Sequence, residues 1–328
     1  MVSNALIGLE FDEHQLSAVV LECKRKRWQV VGRYRQEYGQ RIPLFEEPVK
    51  LAPLLAQFKK LRKQIPNKLK RVALVLPDYW VMQKNLQVAT GMTEQETYEN
   101  LCHQLSDAPI NVHDVAMDFY SERAETAPRG LESFSTMMQS VRVLTLKKRI
   151  QSTLINQLQR AGFIALFFAP HTHALMATNH WANQQSPQPW LSLHLGQTQW
   201  SAVASDESLC RYWQHSQLQL CGEHSPYQFE RDHVVSSLSK VLLQMELSIE
   251  TKSKAEKQGV WLSCDFDSEL HLLQRLENAH LDVQPLPTHI DDSDVELAIA
   301  PLTGERLMLL ATGAALCAIA WKAHHALG

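Results

Sequence analysis

No two of the six cysteines are spaced C-x-x-C, and no regular spacing joins them. The chain therefore offers neither a disulfide framework nor a paired-thiol redox motif. Several of the six sit in apolar runs and read as small core residues, which points to a reducing compartment. GxSxG, HExxH and GxxxxGK[ST] are also missing, so no nucleophile elbow, zinc-protease helix or P-loop is written here. The opening MVSNALIGLEF has no basic stretch followed by a long apolar run, and predicts no signal peptide. One run, Leu307 to Trp321, is uncharged between Arg306 and Lys322. It is shorter than the roughly 20 residues a spanning helix needs. Rich in Ala and carrying Gly313, it reads as a buried helix packed through small residues, with a short tail anchor as the alternative. His171 and His173 stand two apart, a poor spacing for sharing a metal on a helix. His324-His325 suits the C-terminal end of a helix dipole. No metal is expected.

Hydrophobic residues make up 45% of the 328 positions and charged residues 20%, as in a globular protein with a sizeable core. The net charge of -3 excludes a polycation built for nucleic acid. The charge is uneven, however, and the first quarter is strongly basic. That face suits an anionic leaflet or nucleic acid, or is a solvated helix face. The basic CKRKRW reads as an exposed hairpin tip.

Period-two alternation in ALIGLEF, LSAVVLE and RWQVVGRYRQ predicts three antiparallel strands. A helix follows from about Pro48 to Gln64, with Leu51, Leu54, Leu55, Phe58 and Leu61 on one face. RVALVLP is solidly apolar, as in a strand buried on both sides. The strand WVMQKNLQV leads into a helix capped by Thr93 and Glu96, then to VHDVAMDFYSE and MMQSVRVLTLK, a small α+β insert. A helix from Lys147 to Gly162, the strand FIALFFAP and a helix from Thr172 to Trp181 close this part. After the turn-like NQQSPQP the opening order returns. LSLHLG, QWSAVAS and LCRYWQHSQLQ are strands, a helix runs from about Glu230 to Lys252, and GVWLSCD is a buried strand. A helix (Ser268 to Ala279), the strand LDVQPL and the apolar helix from Glu305 end the chain.

The order βββαβ thus occurs twice. Aligning Ser17-Ala18-Val19 with Ser201-Ala202-Val203 sets Glu10 against His194, Asp12 against Gly196 and His14 against Thr198. The first of these turns, Asp12-Glu13-His14, is acidic and has no glycine.

Two such halves with an insert resemble the actin-like (RNase H-like) fold, an α/β class in which the halves face a cleft. The passages VALVLPDYWVMQKNLQV, TEQETYENLCHQL, VHDVAMDF and TLINQLQRAGF narrow the likeness. Their order resembles PilM and its relatives of the competence ComA and HofM type, actin-like proteins of type IV pilus and DNA-uptake machines. The likeness implies a first half over residues 1–165 with an insert at 79–146. It implies a second half at 166–304, and a C-terminal helix at 305–328 packing back on the first half.

In that fold the turn after the first strand of each half cradles nucleotide phosphates, and bare glycine lets backbone N–H groups approach. Against that pattern Glu10 takes the Asp position, Asp12 the glycine and Ser17 the Lys. In the second turn His194 replaces Asp, while Gly196 and Thr198 remain. Ser263 and Cys264 replace the purine-binding glycines. A carboxylate about 4 Å from a phosphate charge costs about 4 kcal/mol at an effective dielectric near 20. A Mg²⁺ ion held by Glu10 and Asp12 would offset that, so weak ATP binding stays as the alternative to no cofactor. The resemblance implies a non-catalytic cytoplasmic adaptor, peripheral to the inner membrane. Its partner would be the N-terminal tail of a PilN-like single-pass membrane protein, with pilus motor or platform proteins as further partners and no direct nucleic acid. An actin-like ATPase or kinase with an altered site is the alternative. The implied peptide groove comprises Leu74, Pro77, Tyr79, Val81, Gln83, Val115 and Met117. The same residue types also build ordinary cores.

Overall fold

A computed structural model describes residues 5–13, 15–24, 27–44, 51–106, 111–121, 138–183, 191–195, 199–205, 210–216, 259–264, 282–285 and 308–325. Strands β1 (Ala5–Phe11), β2 (Gln15–Lys24) and β3 (Arg27–Glu37) form an antiparallel meander. β4 (Arg71–Leu76) adds to β1 in parallel, and β8 (Ile164–Pro170) adds to β4. The sheet order is β3-β2-β1-β4-β8. Both faces are covered. Ile7, Leu9, Val72 and Leu74 pack with residues of α1 (Leu54–Gln64) and α3 (Lys148–Ala161). Leu6, Ala73 and Val75 pack on the opposite face with α4 (His171–Asn183) and α5 (Leu309–His325). A strand in that position has no solvent side, which is why RVALVL does not alternate.

Two boundaries differ from the sequence reading, each for a local reason, and one stands as read. α1 starts at Leu54 because Pro53 occupies its N-cap, while Leu51 is buried ahead of the helix. The glycine stop of α3 stands as read: Gly162 caps the helix with φ 91, and the Phe163 N–H donates to the Leu158 carbonyl at 2.8 Å. The first sheet takes in all of β8, so a boundary at residue 165 falls inside a strand.

The insert is β5 (Val81–Ala89), α2 (Glu94–Ser106), β6 (Val115–Ser121) and β7 (Met138–Lys147), with sheet order β5-β7-β6. The capping box forms at α2. Glu96 Oε2 accepts from the Thr93 N–H at 2.8 Å, and the Glu96 N–H donates to Thr93 Oγ1 at 3.2 Å. Leu101 and Leu105 of α2 cover Val88, Val141 and Val143 in a separate small core.

β9 (Leu191–Leu195), β10 (Gln199–Ser205), β11 (Cys210–Ser216), β12 (Gly259–Cys264) and β13 (Asp282–Pro285) form a second sheet, ordered β11-β10-β9-β12-β13. Order and strand directions repeat those of the first sheet. The helices expected at 230–252 and 268–279, and the turn at 184–189, lie outside the described residues.

α5 is a core element. Leu310, Ala311, Ala314, Ala315 and Ala318 are buried. A methyl group at Gly8 would collide with the Ala311 carbonyl oxygen, and one at Gly313 with that of Ala174, so backbone packs on backbone at both points. Among the described residues no helix is long and apolar enough to cross a membrane.

Candidate functional site

β1 and β2 meet in the acidic turn. The Asp12 N–H donates to the Gln15 carbonyl at 3.0 Å, and Asp12 Oδ1 accepts from the Gln15 N–H at 2.7 Å. The turn thus closes on its own side chain, the Asp12 carboxylate accepting from the amide three residues on. The Gln15 amide is therefore already taken by a side chain of the same turn. Glu10 lies on β1 opposite Ser17, whose side chain is buried. Burial, and then the charges of Asp12 and Glu10, push the Tyr38 phenol well above its usual pKa. This turn therefore presents two carboxylates beside a phenol held neutral.

Glu13 points the other way. It is only 5% exposed, and its carboxylate accepts from Arg41 Nε at 2.7 Å and from Arg41 Nη2 at 3.0 Å. Glu13 Oε1 also accepts the Leu44 N–H at 3.2 Å, and the Glu13 carbonyl accepts the Ile42 N–H at 2.8 Å. The turn is thereby fastened to residues 41–44. Tyr79 continues the chain of contacts by donating its hydroxyl to the Leu44 carbonyl at 3.1 Å. Sequence reasoning missed the Glu13–Arg41 pair, because 28 residues separate the two and nothing in the sequence marks Arg41 as a partner of the acidic turn.

At the matching place in the second half, Gly196 and Thr198 lie outside the described residues. His194 pairs with Ser201 across β10 and with Ser263 across β12, and Cys264 pairs with Leu195. The His194 ring is buried 4.8 Å from that of His171, centroid to centroid. His171 Nε2 and Ser201 Oγ are 3.2 Å apart. Burial lowers the His171 pKa to about 4, and burial followed by the neighbouring His171 lowers that of His194 well below the usual value. Burial thus favours the neutral form of both rings, which pack against each other between the two halves.

The first turn of α4 gathers the remaining polar contacts. Asp78 accepts the Thr172 N–H at 3.1 Å and the Thr172 hydroxyl at 2.6 Å, so a buried carboxylate from the end of β4 caps a helix 94 residues away. His173 Nε2 lies 2.9 Å from the Tyr120 hydroxyl of the insert. Asp78, unlike Glu13 of the conspicuous acidic turn, gave no signal in the sequence. Among the described residues no group of three or more His, Cys, Asp and Glu is gathered as a metal centre would need.

The strand register divides the implied groove. Leu74 and Val81 are buried in the main core, where a peptide cannot reach them. β5, β7 and β6 are paired so that Val81 and Gln83 share one face of the insert sheet with Leu146 and Leu144. Met117 and, by alternation, Val115 share the other face with Met82 and Thr145. Met117 packs in the small core under α2. One peptide on one face therefore cannot contact both sets. Pro77, Tyr79 and Gln83 keep partial exposure on the side toward the first half. Beyond them the same face carries Asn85 and Arg142, whose Nε donates to Asn85 Oδ1 at 3.3 Å.

No protein-family model and no curated protein matches the sequence. Among solved structures the chain is similar to one described as a PilM–PilN type IV pilus biogenesis complex. The TM-score is 0.66 at 16% identity, over 96% of this chain and 98% of that one. It is also similar to the cytoplasmic domain of EpsL, an inner membrane component of the type II secretion system of Vibrio cholerae (TM-score 0.45, 10% identity, 95% of each chain). A third likeness is to a Bacteroides thetaiotaomicron protein with an actin-like ATPase fold (TM-score 0.45, 11% identity, 86% and 90% of the chains). The two sheets of identical order and the full-length likeness to the first of these show the fold: an actin-like α/β protein of two duplicated halves, with an α+β insert in the first.

Proposed function

We propose that the chain is a non-catalytic adaptor of a type IV pilus or DNA-uptake assembly. It would bind the N-terminal cytoplasmic tail of a PilN-like single-pass membrane protein, and so sit at the cytoplasmic face of the inner membrane. The observation that carries this reading is the likeness in fold, insert included, to a PilM–PilN complex over nearly the whole of both chains. The first turn supports the non-catalytic part. Asp12 occupies the Gln15 amide, and Glu10 and Asp12 repel a phosphate by about 4 kcal/mol at 4 Å unless a metal intervenes. These residues do not fit a nucleotide phosphate as they stand.

An extended peptide between the first half and the insert meets Tyr79, Gln83 and the Asn85–Arg142 pair. Its backbone amides suit those polar groups, and Pro77 and the Tyr79 ring give it apolar contact. Calorimetry with a synthetic peptide covering the partner's N-terminal tail tests the reading. One site of about micromolar affinity is expected, weakened at least about tenfold by Gln83→Arg. Mg-ATP is expected to give no saturable heat. Absence of peptide binding by a folded protein would sink the adaptor reading. ATP affinity tighter than about 10 μM would replace it with an actin-like ATPase.

A further inference from the structure

α1 and α3 pack side by side over one face of the first sheet, and each leads into one of the parallel strands β4 and β8. Their C-terminal ends therefore lie at the same end of the sheet, where those strands begin. The contacts there are direct. Arg71 pairs with Ile164, and the Ile164 N–H donates to the Lys70 carbonyl at 2.7 Å. Arg62 lies 5.4 Å from the centre of the Phe163 ring and donates to the carbonyls of Ile65 and Asn67, both at 2.9 Å. Arg62, Lys63, Lys68, Lys70, Arg71 and Arg160 thus surround one end of the first half.

The segments that supply these cations carry no counter-charge of their own. Residues 51–77 and 138–183 contain no Asp or Glu, and the carboxylate at this end of the sheet is Glu22 of β2, opposite Ala5 and two strands from Arg71. Among the described residues none of the six cations is in an ion pair. Helix dipoles account for Arg62, Lys63 and Arg160, which end α1 and α3. They do not account for Lys68, Lys70 and Arg71, which belong to no helix. Nor do they account for Ile164, which stands among the cations 50% exposed.

We propose that this basic end of the first half docks on the anionic phospholipid headgroups of a membrane surface, with Ile164 entering the headgroup layer. Cations with an apolar side chain among them match a bilayer interface, which accepts both. Nucleic acid fits less well. Single strands call for exposed aromatic faces on which bases stack, and the aromatic ring here, Phe163, is buried beneath Arg62. The docking needs no partner peptide, so it stands or falls separately from the adaptor reading.

Co-sedimentation of the purified full chain with phosphatidylcholine vesicles, with and without phosphatidylglycerol, tests it. Binding is expected only to the anionic vesicles, and is expected to weaken as salt is raised. Each Lys or Arg at such a surface is worth about a fivefold change in partitioning, so Lys63→Gln/Lys68→Gln/Lys70→Gln should lose about 100-fold. These side chains are exposed, and the variant should fold normally. Ile164→Ser should lose up to about tenfold without changing the salt dependence. The charge-matched Lys84→Gln/Lys148→Gln/Arg149→Gln, placed on the insert and at the opposite end of α3, should bind as wild type. The proposal is overturned if the wild-type chain ignores anionic vesicles or if both triple variants lose binding alike. Equal or tighter binding to single-stranded DNA or to polyglutamate would also overturn it.

Discussion

Glu13 shows how a single side chain decides what a turn is for. Two adjacent carboxylates in a hairpin look alike in the sequence, yet they are used in opposite ways. Asp12 closes the turn on itself, while Glu13 is buried and fastens the segment 41–44. Arg41 is half exposed, so the ion pair itself contributes little after solvent screening. The larger effect is the Leu44 N–H, which has a buried acceptor only while Glu13 is present. Glu13→Ala should therefore lower unfolding free energy by about 2 kcal/mol in urea titration, and Arg41→Gln by less than half of that. Equal losses would show that the ion pair, not the backbone bond, holds the segment. The sequence made the acidic turn conspicuous but gave no way to assign its two carboxylates. A partner 28 residues off, in a segment without periodicity, leaves no local trace.

At the level of elements, the apolar run before the C-terminus was legible as a buried helix, since small residues in place of large ones imply close approach. The structure supplies what it approaches. Gly8 in β1 lies under the Ala311 carbonyl, and Gly313 meets Ala174 in α4. Backbone contact of this kind leaves no side chain to move aside. Gly8→Ala should cost about 3 kcal/mol or more and leave little soluble protein, whereas Gly39→Ala, where an added methyl meets open space, should be neutral within about 0.5 kcal/mol. A soluble, wild-type-like Gly8→Ala protein would show that α5 is not seated on β1. Legibility followed locality elsewhere too. The capping box at Thr93 and Glu96 and the stop at Gly162 each depend on neighbours within four residues, and both formed. The faces of the insert sheet did not follow from the sequence. Which residues of β5 and β6 share a side depends on pairing through β7, and that register put Met117 under α2, away from Gln83.

For the whole molecule, duplication was legible because the order of elements repeats even where residues do not, and the second sheet reproduces the first strand for strand. How the halves meet was not legible, since it rests on polar contacts between distant segments. α4 carries them. Asp78 of the first half caps its start, His173 meets Tyr120 of the insert, and His171 packs against His194 and Ser201 of the second half. Farther along, Asn179 donates to Ser192 Oγ at 2.7 Å, and the Trp261 Nε1–H donates to Asn183 Oδ1 at 3.0 Å. The junction therefore depends on histidines that are buried and neutral. In the unfolded chain they take up protons below about pH 6.5, whereas in the folded chain His171 stays neutral down to about 4. Stability is then fully present above pH 6.5 and declines as pH falls toward 4. His171 alone contributes about 3 kcal/mol of that loss at about 1.4 kcal/mol per pH unit. His194, lowered in the same direction, adds to it, and the Asp78 charge partly opposes the lowering at His173. Urea midpoints should therefore drop steeply between pH 7 and pH 5, and His194→Gln should flatten the slope. A midpoint that stays level across that range would show that the two rings are not held neutral at the junction. Loss of a second-half tryptophan signal before first-half structure melts at pH 5 would place the weakness at the α4 junction itself.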